Sequence, residues 1–112
     1  MTSIYIAGPM SGLPDYNYPA FLDAEGKLTV AGYHVLNPAR VEEDNPTPGT
    51  PQEWGWYMRR CLKMVADADG IALLDGWRNS RGATLERLVG ISLGMDVHTL
   101  AAWIEPHERE LT

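Results

Sequence analysis

Ile71-Ala72-Leu73-Leu74-Asp75-Gly76-Trp77-Arg78-Asn79-Ser80-Arg81-Gly82-Ala83-Thr84-Leu85-Glu86 is the stretch that decides the fold. Its first four residues are an unbroken apolar run, as in a strand buried on both faces of a parallel sheet. Apolar side chains then recur at Leu85, Leu88, Val89 and Met95, with Ser92 on the same three- and four-residue steps, which predicts a helix. Residues 75–86 are therefore read as the loop from a buried strand into a helix, the edge where open α/β sheets bind small ligands. The same spacing places Glu86 in or near the first helical turn, where the helix dipole favours an ionised carboxylate. Two readings of Glu86 stay open. It complements the dipole, a role worth roughly 0.3–1 kcal/mol, or it is a nucleophile beside an anion pocket made by the Ser80 hydroxyl and the approachable backbone of Gly82. A capping box is disfavoured, because Ala83, three residues earlier, has no side-chain oxygen. The second reading points to chemistry on a phosphorylated or sugar-bearing substrate.

Working outward, Ser3-Ile4-Tyr5-Ile6-Ala7 reads as the first, central strand, ended by Gly8-Pro9. The Gly/Pro loop that follows, through Ser11 to Asp15, leaves the same edge of the sheet as the loop around Ser80. Residues 18–31 form an amphipathic helix despite Gly26, which costs about 1 kcal/mol relative to Ala. Gly32 closes it, and 33–36 make the second strand. Residues 39–51, with Pro46, Pro48 and Pro51 among Glu42, Glu43 and Asp44, suit neither helix nor central strand, and a connection this long is either a binding lid or a surface loop. A helix over 52–67 begins with Trp54, Trp56 and Tyr57, readable as an aromatic wall for a ligand or as core and subunit contact. Asp69 stands just before the third strand, 71–74, either solvating a turn or reaching across the cleft. Residues 97–103 are predicted to be a fourth strand and 105–112 a polar, frayed tail. Strand and helix thus alternate, which gives a parallel sheet with right-handed crossovers and helices on both faces. The expected fold is a flavodoxin- or Rossmann-like three-layer α/β sandwich with four or five strands in the order 2-1-3-4.

Composition narrows the function. The 112 residues fit a single domain, 1–112, with one core. At 45% hydrophobic and 21% charged residues the chain is an ordinary globular one, with no apolar stretch near the roughly 20 residues of a membrane span and no signal-peptide pattern. A cytoplasmic location and no membrane partner are expected. A net charge of −6 disfavours polymeric nucleic acid, which requires a basic surface, but leaves room for a single nucleotide or nucleoside. His34, His98 and His107 are scattered, so no metal or cofactor is predicted. Cys61 is the one cysteine; it is core packing, or a reactive thiol whose pKa Arg59, Arg60 and Lys63 lower.

Four pieces together resemble the nucleoside 2-deoxyribosyltransferase-like superfamily, closest to its short branch in bacteriophages and bacteria. They are Ile4-Tyr5-Ile6-Ala7-Gly8-Pro9, Gly32-Tyr33-His34-Val35-Leu36-Asn37-Pro38, Ala68-Asp69-Gly70 and Gly76-Trp77-x-x-Ser80-Arg81-Gly82-Ala83-x-x-Glu86. The resemblance implies a catalytic set of Tyr5, Asp69 and Glu86. In it Glu86 attacks the anomeric carbon of a 2-deoxyribosyl group, Tyr5 positions Glu86, and Asp69 holds a sugar hydroxyl or assists the leaving base. It implies substrate binding by Gly8, Pro9, Met10 and Ser11 after the first strand, and by Trp77, Asn79, Ser80, Arg81 and Gly82 before the helix. The transferases carry Asp six residues before the nucleophile, whereas Ser80 stands here, as in the similar deoxynucleoside 5′-monophosphate N-glycosidases. Ser in place of Asp removes a charge that repels phosphate and adds a donor. Pro9 and Met10 depart from the polar contacts of those hydrolases. The expectation is a deoxynucleotide N-glycosidase, with a 2-deoxyribosyltransferase or a non-catalytic nucleotide-binding protein as alternatives. The resemblance also implies a homodimer or larger homo-oligomer, with its contact on the 54–67 and Glu86 helices.

Overall fold

Alternation along strand β1 (Ser3–Ala7) divides the core into two layers. Ile4 and Ile6 point to one face, where they pack with Phe21, Ala24 and Leu28. Tyr5 and Ala7 point to the other, against Cys61, Val65 and Ala83. The computed structural model describes the backbone of residues 1–111 and the side chains of residues 1–105. Strands β2 (His34–Leu36), β3 (Gly70–Leu73) and β4 (Asp96–Thr99) complete a sheet in the order β2-β1-β3-β4. Every pair is parallel, with Tyr5 opposite Leu36 on one side and Ile71 on the other. Helices α1 (Tyr18–Val30) and α4 (Leu100–Leu111) cover the Ile4 face, and α2 (Trp54–Asp67) and α3 (Arg81–Ser92) the Tyr5 face. This is the expected Rossmann-like α/β sandwich. Among the described residues no helix is long and apolar enough to cross a membrane.

Helix α1 ends as its glycine predicts: Gly32 takes φ +98°, and the Tyr33 N–H reaches back to the Leu28 carbonyl at 3.0 Å. Four expectations change. The strand predicted over 97–103 stops at Thr99, whose Oγ1 accepts the Ala102 N–H at 3.3 Å and caps α4. Trp103 therefore lies on a helix, and its indole N–H donates to the Ile71 carbonyl at 2.8 Å beside Gly70, where any side chain would collide with the ring. Of the tail predicted from 105, the backbone is helical to Leu111, and Thr112 lies outside the described residues. Residues 38–44, expected to be irregular, form a 3-10 turn started by Asn37, whose side chain accepts the Ala39 N–H at 2.9 Å. Finally, α3 buries Ala83, Glu86 and Gly90 and leaves Leu88 59% exposed. Small residues let the helix lie close to the sheet, so the buried stripe is not the leucine stripe.

Candidate functional site

The carboxyl ends of β1 and β3 open into a cavity of about 740 Å³. Gly8 makes this end possible, because a Cβ there would sit 2.8 Å from that of Leu74 as the two chains leave the sheet. One wall is the β1 to α1 loop, with Gly8, Pro9, Met10 and Ser11. That loop continues through Asp15, Tyr16 and Asn17, three consecutive non-glycine residues with φ of 52–59°, and the Asn17 side chain fastens it by donating to the Pro9 carbonyl at 3.0 Å. A run of left-handed residues is strained backbone, and Tyr16 within it lines the cavity.

The second wall is the start of α3, with Asn79, Ser80, Arg81 and Gly82. Ser80 is the N-cap: its Oγ accepts the Ala83 N–H at 3.1 Å, leaving its own hydrogen free to donate. The N–H groups of Arg81 and Gly82 have no protein acceptor among the described residues, as the first turn of a helix requires. Hydroxyl, two amides and the dipole together make an anion site. The Arg81 guanidinium lies 3.8 Å above the Trp54 ring and joins the two helix starts.

At the bottom, Glu86 is 5% exposed and Tyr5 fully buried. The alternation of β1 aims Tyr5 at α3, and its hydroxyl donates to Glu86 Oε2 at 2.5 Å. Glu86 lies in the second turn of α3, and no acidic residue occupies the first, so the expectation that the dipole holds it ionised is corrected. Burial instead pushes its carboxyl up to about 7, while hydrogen bonds from Tyr5 and Cys61 favour the carboxylate and oppose the rise. Tyr5 is raised well above a phenol's usual range by burial and the neighbouring Glu86 charge, so it stays a donor. Burial and the same carboxylate push the Cys61 thiol up to about 12, which favours the core-packing reading over a reactive thiolate.

Two predicted site residues fall elsewhere. Asp69 precedes β3 and so lies at the opposite, amino edge of the parallel sheet; its Oδ2 accepts the Ser3 N–H at 2.8 Å, and it does not line the cavity. Trp77 also lies outside the lining, half-buried against the α2–α3 core with Arg78 and Arg87 over its ring. The predicted aromatic wall divides: Trp54 and Tyr57 line the cavity, whereas Trp56 packs into the core under Arg60.

The cavity is also lined by residues outside the predicted substrate-binding set, among them Tyr18, Glu42, Gln52, Met58 and Cys61. Glu42 and Gln52 flank the proline-rich segment, and buried Asn45 ties it down by donating to Glu42 Oε1 at 2.7 Å and the Thr50 carbonyl at 3.0 Å. The only signal was the density of carboxylates and prolines there. Among the described residues no three His, Cys, Asp or Glu side chains converge as a metal would require.

A parallel sheet between paired helices, with its cavity at the carboxyl edge, defines a Rossmann-like α/β protein. The chain belongs to the family described as domain of unknown function DUF4406, whose model matches residues 2–99. The match ends on the last residue of β4, so it takes in every element around the cavity and leaves out α4. No curated protein matches the chain.

Proposed function

We propose that the protein is an N-glycosidase that splits the base from a 2′-deoxynucleoside 5′-monophosphate. The observation that carries this reading is the buried Tyr5–Glu86 hydrogen bond in a cavity whose wall is the Ser80-capped start of α3. The phosphate docks on the Ser80 hydroxyl, the Arg81 and Gly82 amides and the Arg81 charge. The sugar then lies over Glu86. An ionised Glu86 oxygen attacks C1′, the bond to the base nitrogen breaks with its electron pair, and the base takes up a proton from solvent, which the attacking water of the second step returns. Water attacks C1′ of the glycosyl-enzyme, releases the carboxylate and gives 2-deoxyribose 5-phosphate. Tyr5 holds the attacking carboxylate in one orientation. The resemblance to the nucleoside 2-deoxyribosyltransferase-like superfamily supports Tyr5 and Glu86 in these roles; the position of Asp69 does not support the role the resemblance gives it. Exposed Leu88 and Ile91 on α3 support the further proposal that the protein is a homodimer through this helix.

The test is chromatographic. The protein is incubated with each deoxynucleoside 5′-monophosphate and each deoxynucleoside, with and without a competing free base. Free base from the monophosphates alone, abolished in Glu86→Ala, is the expected result. A new nucleoside formed by exchange would replace the reading with a transferase, and nucleotide binding without release would replace it with a binding protein.

A further inference from the structure

We propose that the wall made by Glu42, Gln52 and Tyr57 selects a base bearing an exocyclic amino group; this rests on the nucleotide reading above. Both hydrogens of the Gln52 amide are engaged, by Asn45 Oδ1 and Thr47 Oγ1, each at 2.9 Å. The Tyr57 hydroxyl donates to Glu42 Oε2 at 2.9 Å and accepts the Gln52 N–H at 3.1 Å. The Asn45 amide hydrogens go to Glu42 Oε1 and the Thr50 carbonyl. The segment thus uses up its own donors internally. What remains for a ligand is the Gln52 carbonyl oxygen and the spare lone pairs of the Glu42 carboxylate, since each oxygen can accept two hydrogen bonds and holds one. All three residues line the cavity. The hydroxyls of Tyr16 and Tyr18, which also line it, turn to donate or accept and do not discriminate.

A wall of acceptors beside aromatic rings takes a flat ring with N–H donors on its edge. Cytosine, adenine and guanine each carry an amino group. Uracil and thymine put a carbonyl oxygen where cytosine has its amino group and keep only the ring N3–H as a donor on that edge, so the carbonyl oxygen would face an acceptor of the wall without a proton between them.

The experiment compares base release from deoxycytidine and deoxyuridine 5′-monophosphates, which differ at that edge alone. The expected result is a kcat/KM at least about tenfold higher for the cytidine compound, about 1.4 kcal/mol. In Glu42→Gln, which can present a donor, the ratio falls to within about threefold. Glu43→Gln removes the same charge from the same turn but does not line the cavity, and it keeps the parent ratio. Equal rates in the parent, or a ratio unchanged in Glu42→Gln, would overturn the proposal. If no nucleotide is cleaved, the hydrolase reading fails separately, and calorimetric binding of the same two nucleotides then reads the preference. Equal affinity, or binding of neither, would overturn it.

Discussion

On the proposed function, Glu86 links the folding and the chemistry of this protein at a single residue. Its carboxyl is pushed from an ordinary glutamate value to about 7, so the folded state binds a proton that the unfolded chain has released between those pH values. The stabilisation that goes with the neutral group is complete below the unfolded pKa and lost as pH rises through about 7. Glu86→Gln keeps an oxygen for the Tyr5 hydroxyl and cannot ionise. The variant should match the parent below about pH 4 and exceed it by on the order of 3 kcal/mol at pH 8, read by denaturant unfolding at both pH values. A difference independent of pH would contradict the burial argument. On the proposed function Glu86 must be ionised to attack, so kcat/KM of the parent should rise with pH to a plateau above about 7. Glu86, Tyr5 and Ser80 were legible because each follows or lies on an element whose direction the sequence reveals. Asp69 was misplaced although its position was equally readable: a residue before a parallel strand lies at the edge opposite the residues that follow the strand. Glu42 was not readable, because its place depends on the path of a loop set by Asn45.

At the scale of the element, the start of α3 has two roles that substitution can separate. Ser80 caps the helix and, on the proposed function, donates to a phosphate. Asp is as good an N-cap as Ser, but its charge repels phosphate. Ser80→Asp should therefore keep the melting temperature within a few degrees and weaken deoxynucleotide binding at least about tenfold, with the corresponding deoxynucleosides little affected. Calorimetry and a thermal melt check both halves, and equal losses for nucleotide and nucleoside would show that Ser80 does not meet the phosphate. The burial of this helix shows where periodicity misleads. Hydrophobic spacing favours Leu88, yet Ala83 and Gly90 face the sheet because a longer side chain at Gly90 would collide with Ile71. Close approach between a helix and a sheet selects small residues, which a search for apolar bulk passes over.

For the whole molecule, alternation in β1 and the strand–helix rhythm were sufficient for the layer order and the sheet order, since right-handed crossovers leave few alternatives. Helix α4 escaped notice because Val97, His98 and Thr99 continue a strand pattern, and only the Thr99 cap and the Trp103 bond to Ile71 show that the chain turns back onto the sheet. The exposed Leu88 and Ile91 predict self-association: sedimentation at micromolar concentration should give a dimer, and Leu88→Glu should shift it to monomer. A monomeric parent would remove that proposal. On the proposed function Glu86 is the nucleophile of a deoxynucleotide N-glycosidase. Mass spectrometry reads that role when the protein is quenched after mixing with a 2′-fluoro-substituted deoxynucleotide, whose glycosyl-enzyme hydrolyses slowly because fluorine destabilises the oxocarbenium-like transition state. A 2-fluoro-2-deoxyribosyl phosphate adduct on the peptide containing Glu86, absent from Glu86→Gln, is the predicted result; an adduct on another residue, or base release undiminished in Glu86→Gln, would contradict it.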